Sequence, residues 1–252
     1  MNSVTFNFAG ATVLVTGGTS GIGYAIATGF ADAGANVTVT GTRSAPSDYD
    51  NDGVDLSRFR FVQVDTRDTE KIDELAASFD VLDVLVNNAG ANFPAGDEWT
   101  IDGFAGSLDV NMMGAIRLTF GCHDALKAST MSGGASVVNI VSMSAFRGVP
   151  SVPGYSASKA ALVAMTRNMA LKWMGDGIRI NCVAPGLIYT RMTSALDLPQ
   201  LEAIKAREIA RVPQGRMGTA EETAAAALFL STDVSSYTNG TYFAVDGGYL
   251  AF

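Results

Sequence analysis

Short, almost continuously apolar runs alternate along the chain with longer stretches of helical periodicity. Thr12-Val13-Leu14-Val15 is the first such run, and a glycine-rich turn follows it. Further runs at 37–40, 59–64, 81–86, 136–141, 178–183 and 242–245 read as strands two to seven. Helical spacing is expected over 21–33, 68–78, 101–127, 155–174, 198–210 and 220–230. Gly34 supplies a stop for the first of these helices. Strands that are apolar on both sides, alternating with helices, predict a parallel sheet covered on both faces. The expected architecture is α/β: a Rossmann-type, doubly wound, seven-stranded parallel sheet forming one domain over 1–252. Its cofactor half ends near residue 140, and substrate loops occupy about 144–153 and 187–211. Residues 41–58 carry Pro46, Gly53 and four aspartates, and read as a loop with at most a short helix.

The chain has 252 residues, 48% of them hydrophobic, which suffices to fill one such domain. Its net charge of −8 argues against nucleic acid and against anionic membranes as partners. Two cysteines, Cys122 and Cys182, make no disulfide framework and suit a reducing compartment. With His123 the single histidine and no C-x-x-C spacing, no metal site is expected. His123 itself reads as a surface or interface residue. The first ten residues lack a basic, long apolar leader, and no run approaches a membrane span. A cytoplasmic protein is therefore expected.

Chemistry concentrates at the ends of the strands. Thr16-Gly17-Gly18-Thr19-Ser20-Gly21-Ile22-Gly23 joins the first strand to the first helix. Glycines there permit a tight turn and close backbone approach, and the helix start offers free N–H groups to a pyrophosphate. The spacing is G-x-x-x-G-x-G rather than G-x-G-x-x-G. Tyr155 and Lys159 are four residues apart and share a helix face. At ~4 Å and an effective dielectric of ~20, their attraction would be about 4 kcal/mol. That is enough to bring the phenol well below its ordinary value near 10.

The variant glycine spacing resembles the short-chain dehydrogenase/reductase family, and the remaining motifs agree in order. They are Asn87-Asn88-Ala89-Gly90 after strand four, Asn111 in the next helix and Ser142 after strand five. Tyr155-Ser156-Ala157-Ser158-Lys159 opens the following helix. Pro185-Gly186-Leu187-Ile188-Tyr189-Thr190 follows strand six and Asp246-Gly247-Gly248 follows strand seven. The resemblance spans nearly the whole chain. It implies hydride transfer between NAD(P) and an alcohol/ketone pair. Ser142 would hold the substrate oxygen for Tyr155, and Lys159 would also bind the nicotinamide ribose. Asn111 would fix a water relaying protons toward Lys159. Gly17, Thr19, Ser20, Gly21, Ile22 and Gly23 would take the pyrophosphate. Asp65 would bind adenine, with Thr66 beside it, and Asn88, Ala89 and Gly90 would line the path to the nicotinamide. Pro185, Gly186, Ile188 and Thr190 would hold the carboxamide end. Asp65 can alternatively cap the next helix, and Asn87 can serve structure by bonding neighbouring strands.

Gly41 stands where NAD-preferring members carry an acid, and Thr42 and Arg43 can take a 2′-phosphate. NADP(H) is therefore favoured over NAD(H). Substrate contacts are expected from Phe93, Ser142, Ser144, Val149, Tyr155, Leu187 and Met192, with Phe146 and Leu196 extending an apolar wall. No base is clearly aimed at a substrate carboxylate, although Arg147 and Arg191 stay open as such. The expected substrate is a neutral, fairly apolar ketone or secondary alcohol. A 3-oxoacyl carrier-protein reductase is the alternative enzyme. Residues 128–134 and 175–177, where such enzymes hold docking bases, contain none. A non-catalytic dinucleotide sensor or scaffold is the alternative of another class. Family resemblance also implies a homotetramer, assembled through helices 101–127 and 155–174 and the apolar tail 248–252.

Overall fold

The computed structural model describes residues 4–93, 96–190, 193 and 197–251. Seven parallel strands form one sheet in the order β3-β2-β1-β4-β5-β6-β7. They are β1 Thr12–Val15, β2 Asn36–Gly41, β3 Arg60–Gln63, β4 Val84–Asn87, β5 Ala135–Ile140, β6 Ile178–Pro185 and β7 Tyr242–Val245. Among the described residues eight α-helices surround it: α1 Gly21–Asp32, α2 Thr69–Ala77, α3 Ile101–Leu108, α4 Gly114–Gly121, α5 His123–Lys127, α6 Pro153–Trp173, α7 Glu202–Ala210 and α8 Ala220–Ser231.

Alternate side chains of each strand leave by opposite faces. Val13, Val15, Val84 and Val86 pack with Ile26 and Phe30 of α1 and Leu228 of α8. Leu14, Leu85 and Val137 pack with Ile72 and Leu75 of α2, Leu118 of α4 and Met169 of α6. Both faces are thus dry, which is why the strands read as unbroken apolar runs. No helix among the described residues is long and apolar enough to cross a membrane.

Side-chain caps set several helix starts. Asp68 accepts the Lys71 N–H at 3.1 Å, Thr100 accepts the Gly103 N–H at 3.1 Å, and Thr219 and Glu222 cap α8 reciprocally. The cap of α2 is therefore Asp68, and the alternative role offered to Asp65 is filled. The stretch expected as one helix over 101–127 is interrupted twice. A π turn occupies Asp109–Met113, and the helix breaks at Cys122 before α5. Residues 41–58 do carry a short helix, a 3₁₀ segment over Pro46–Asp52 that buries Tyr49. Asn87 donates to Thr119 and to Asn139, each at 2.8 Å. Asn139 donates to Thr166 at 2.8 Å, so a buried polar chain ties β4 and β5 to the helices beneath.

Candidate active site

Strand order reverses between β1 and β4, and the crevice beyond their C-terminal ends opens into a cleft of about 420 Å³. The β1–α1 turn forms one wall. Ser20 precedes α1 but makes no side-chain cap, so the first N–H groups of the helix keep their hydrogen-bonding capacity. Glycine is enforced on this wall. A Cβ at Gly23 would lie 2.3 Å from the Gly17 carbonyl oxygen, and one at Gly17 would lie 3.0 Å from Ala89 Cα. Thr16 fastens the facing wall by accepting the Asn88 and Ala89 N–H groups at 2.9 and 3.0 Å. Asn88 returns hydrogen bonds to the carbonyls of Thr16 and Gly17 at 2.9 and 3.2 Å.

Ser142, Tyr155 and Lys159 line the far end of the same cleft. The Ser142 hydroxyl lies beside the Tyr155 phenol and favours its ionised form. Lys159 is buried and donates to the Ile140 carbonyl at 3.0 Å, with its Nζ 5.5 Å from the Tyr155 ring centre. Burial pushes the Tyr155 phenol up to about 12; the Ser142 hydroxyl opposes this and the Glu98 carboxylate adds to it. Burial lowers the Lys159 ammonium to about 8. The expectation that Lys159 would acidify Tyr155 is thus not met in the protein by itself. The ammonium is committed to a carbonyl, and loss of water around the phenol dominates. Asn111 lies in the π turn and clamps Ala91 from both sides. It donates to the Ala91 carbonyl at 2.8 Å and accepts its N–H at 2.9 Å. A Cβ on Gly90 would approach Asn111 Oδ1 to 2.6 Å and Lys159 Nζ to 3.4 Å, so glycine lets the three meet.

A glycine-lined cradle, a free helix start and a serine–tyrosine–lysine cluster therefore share one crevice, and this fits a dinucleotide with its reactive ring near Tyr155. Comparisons with known proteins agree. The family described as Enoyl-(Acyl carrier protein) reductase matches residues 17–250. A solved chain described as a short chain dehydrogenase/reductase family protein is 35% identical, with a TM-score of 0.82, over 97% of this chain and 99% of that one. The chain belongs to the short-chain dehydrogenase/reductase family. Members of this family are oxidoreductases that act on CH–OH groups with NAD(P). A 3-oxoacyl-(acyl-carrier-protein) reductase, FabG of Chlamydia muridarum, is 33% identical over 98% of this chain and 99% of its own. A candidate 2-deoxy-d-gluconate 3-dehydrogenase of Agrobacterium tumefaciens, solved with NADP bound, is 34% identical. Its TM-score is 0.84, and the match covers 99% of this chain and 100% of that one.

Nearly all the residues assigned to the cofactor by family resemblance line the cleft, from Gly17, Thr19, Ser20, Gly21, Ile22 and Gly23 through Thr42, Asp65, Thr66, Asn88, Ala89 and Gly90 to Pro185, Gly186, Ile188 and Thr190. Arg43 does not. Its guanidinium lies 4.4 Å from the Tyr49 ring centre, pairs with Asp52 at 2.8 Å and donates to the Asp48 carbonyl. Its backbone N–H donates to the Tyr49 hydroxyl at 3.0 Å. The same hydroxyl would lie 2.4 Å from a Cβ at Gly41, so the 46–52 segment excludes a side chain where NAD-preferring members place an acid. Arg67 lines the cleft and was not singled out by the motifs. It holds Asp65 at 2.6 Å, and its position two residues after Asp65 is the only sequence signal for it.

The expected substrate contacts are more scattered. Phe93 is half exposed at the rim. Ser144 is buried, with its N–H on Ser142 Oγ at 3.2 Å. Val149 is partly buried in the following loop. Leu187 opens on a separate hollow shared with Val212 and Arg216. Met192, Pro94, Arg191, Leu196 and Phe252 lie outside the described residues. His123 sits away from the cleft, against Trp173 at 4.7 Å and hydrogen-bonded to Asp176 at 3.0 Å.

Proposed function

We propose that the protein interconverts a neutral, fairly apolar ketone and its secondary alcohol, using NADP(H) in preference to NAD(H), with Tyr155 transferring the proton. The observation that carries this reading is that Ser142, Tyr155 and Lys159 line one cleft together with the glycine turn. In the reducing direction Tyr155 Oη donates its proton to the carbonyl oxygen, and Ser142 Oγ donates a second hydrogen bond to it. Two donors then converge on the atom where negative charge develops. Bound in the cleft, the nicotinamide supplies or accepts the hydride. Lys159 would bind its ribose. Asn111, by fixing Ala91 beside Lys159, would help hold a water that passes protons onward.

The cofactor preference is supported by Gly41, where an acid has no room, and by Thr42 along the adjoining wall. The substrate class is supported by the cations. Among the described residues that line the cleft, only Arg67 and Lys159 are basic, and Arg67 is held by Asp65. Arg147 turns away, to the Tyr249 carbonyl at 3.0 Å. Against carrier docking, Lys127, the base adjoining 128–134 in sequence, is paired with Asp176 at 2.8 Å, and Arg179, which donates to the Gly133 carbonyl at 3.0 Å, is buried. The buried free thiols of Cys122 and Cys182 support a cytoplasmic setting.

A parallel screen with NADH and NADPH tests the reading, covering neutral ketones, keto acids and 3-oxoacyl thioesters. The expected result is turnover of neutral ketones at a kcat/KM about tenfold higher with NADPH, as one charge-assisted contact provides. Preference for keto acids, carrier thioesters or NADH would overturn the corresponding part. No turnover of any class would favour a non-catalytic dinucleotide sensor.

We further propose a homotetramer. Two groups of exposed large apolar side chains are present: Phe120 of α4 and Leu171 of α6 with Met174 just after it, and Phe229, Tyr242 and Phe243 on α8 and the edge strand β7. Light scattering at micromolar concentration should give four times the chain mass, and a monomer would reject the assembly.

A further inference from the structure

The segment between β4 and α3 contains a carboxylate that the proton chemistry leaves unused. Glu98 is 1% exposed, an environment in which a carboxylate needs several donors. It has three. Oε1 accepts the Ser107 hydroxyl at 2.7 Å and the Phe93 N–H at 3.2 Å, and Oε2 accepts the Tyr155 N–H at 2.9 Å. The donors come from α3, from Phe93 and from the first turn of α6.

Each contact resolves a local difficulty. Tyr155 is the third residue of α6, so its N–H has no partner within the helix. Val152 precedes the helix and caps nothing. Glu98 reaches across from another element to take that N–H, at a helix end that favours negative charge. Phe93 has φ 51° and is the one non-glycine residue with positive φ among the described residues. Such a conformation is strained for a side chain of this size and persists where neighbours fix it. The adjacent Trp99 points the other way, its indole N–H donating to the Pro150 carbonyl at 2.8 Å. The two neighbouring side chains thus pin the rim segment to both the start of α6 and the loop before it. Packing leaves little slack, since a Cβ on Gly154 would come within 2.9 Å of Ser107 Cβ.

We propose that Glu98 is a positioning residue that fixes Tyr155 and Phe93 relative to each other, so that the proton donor and the backbone at Phe93 are set as a unit. This rests on Tyr155 being the proton-transfer residue. Two backbone N–H groups on separate segments require two acceptor oxygens, which a carboxylate supplies. Glutamine has the same shape but one oxygen, so in Glu98→Gln one N–H must face an NH₂ group.

The test compares wild type with Glu98→Gln by hydrogen exchange, read peptide by peptide, alongside kcat and NADPH affinity. Exchange should accelerate in peptides covering 91–100 and 152–157 and stay unchanged in the sheet. NADPH affinity should hold, and kcat should fall about tenfold, as expected for one unmet donor beside the reacting group. Ser107→Ala removes the hydroxyl donor but leaves both N–H bonds, and should keep kcat near wild type. Unchanged exchange at both segments would overturn the proposal, as would acceleration spread through the sheet, or NADPH affinity falling in parallel with kcat. If wild type turns over no ketone, the functional reading fails, and the exchange pattern still decides whether Glu98 holds the two segments together.

Discussion

Replacing Tyr155 with phenylalanine is expected to lower ketone turnover about a thousandfold while NADPH affinity stays close to wild type. The ring is kept, so the packing of α6 against the cleft changes little. What is lost is the hydroxyl that lines the cleft with Ser142 and can reach a substrate oxygen. Binding titration by NADPH fluorescence and turnover by absorbance separate the two effects. Persistent turnover in Tyr155→Phe would show that the proton travels by another route.

The same phenol predicts a direction for the pH dependence. Its value is raised to about 12 in the protein by itself, so below that pH it stays protonated. Ketone reduction needs the protonated form and should stay flat across neutral pH. Alcohol oxidation needs the deprotonated form and should climb with pH between about 6 and about 10. Lys159, lowered to about 8, loses its charge within that interval and so loses its hold on any anion nearby. An oxidation rate that falls over this range would contradict the assignment of Tyr155 as base.

The contrast between the expected and observed behaviour of that pair shows where sequence stops being informative. Helical spacing put Tyr155 and Lys159 on one face, and they are on one face. It said nothing about Ile140, whose carbonyl takes the ammonium, or about Glu98, whose carboxylate lies behind the tyrosine. Both come from distant segments that only the folded sheet brings near. The strands were legible because both faces of the sheet are buried, which leaves continuous apolar runs. The interruptions within 101–127 were not, because a π turn preserves the hydrophobic period on either side. The capture of Arg43 away from the cleft lining was not legible for a similar reason. Its partners Tyr49 and Asp52 lie in a segment without clear periodicity, and the capture depends on how that segment folds back over Gly41. Glycines in the β1–α1 turn were legible as a motif, but which of them leaves no room for a side chain depends on how the turn packs against α1 and Asn88.

Gly23 is the position where that difference has its largest consequence. A Cβ there would lie 2.3 Å from the Gly17 carbonyl oxygen and 2.4 Å from Asn88 Nδ2. Neither neighbour can yield cheaply. Gly17 is held by its N–H to Thr40 Oγ1 at 3.1 Å, and Asn88 is held by its bonds to the carbonyls of Thr16 and Gly17. Gly23→Ala must therefore push the turn away from α1, and with it the N–H groups that face the cleft. Overpacking against fixed backbone should cost about 2 kcal/mol of unfolding free energy. NADPH affinity should fall about a hundredfold if the displaced turn carries the pyrophosphate, as proposed. Gly175→Ala is the matched control: a Cβ there meets nothing within 4 Å, so both stability and NADPH affinity should match wild type. Urea denaturation of the cofactor-free protein and NADPH titration read the two effects separately. Wild-type NADPH affinity in Gly23→Ala would mean that the dinucleotide does not rest on the β1–α1 turn. Lost affinity with unchanged stability would mean that the turn yields freely and that the contact with Gly17 is softer than its geometry implies.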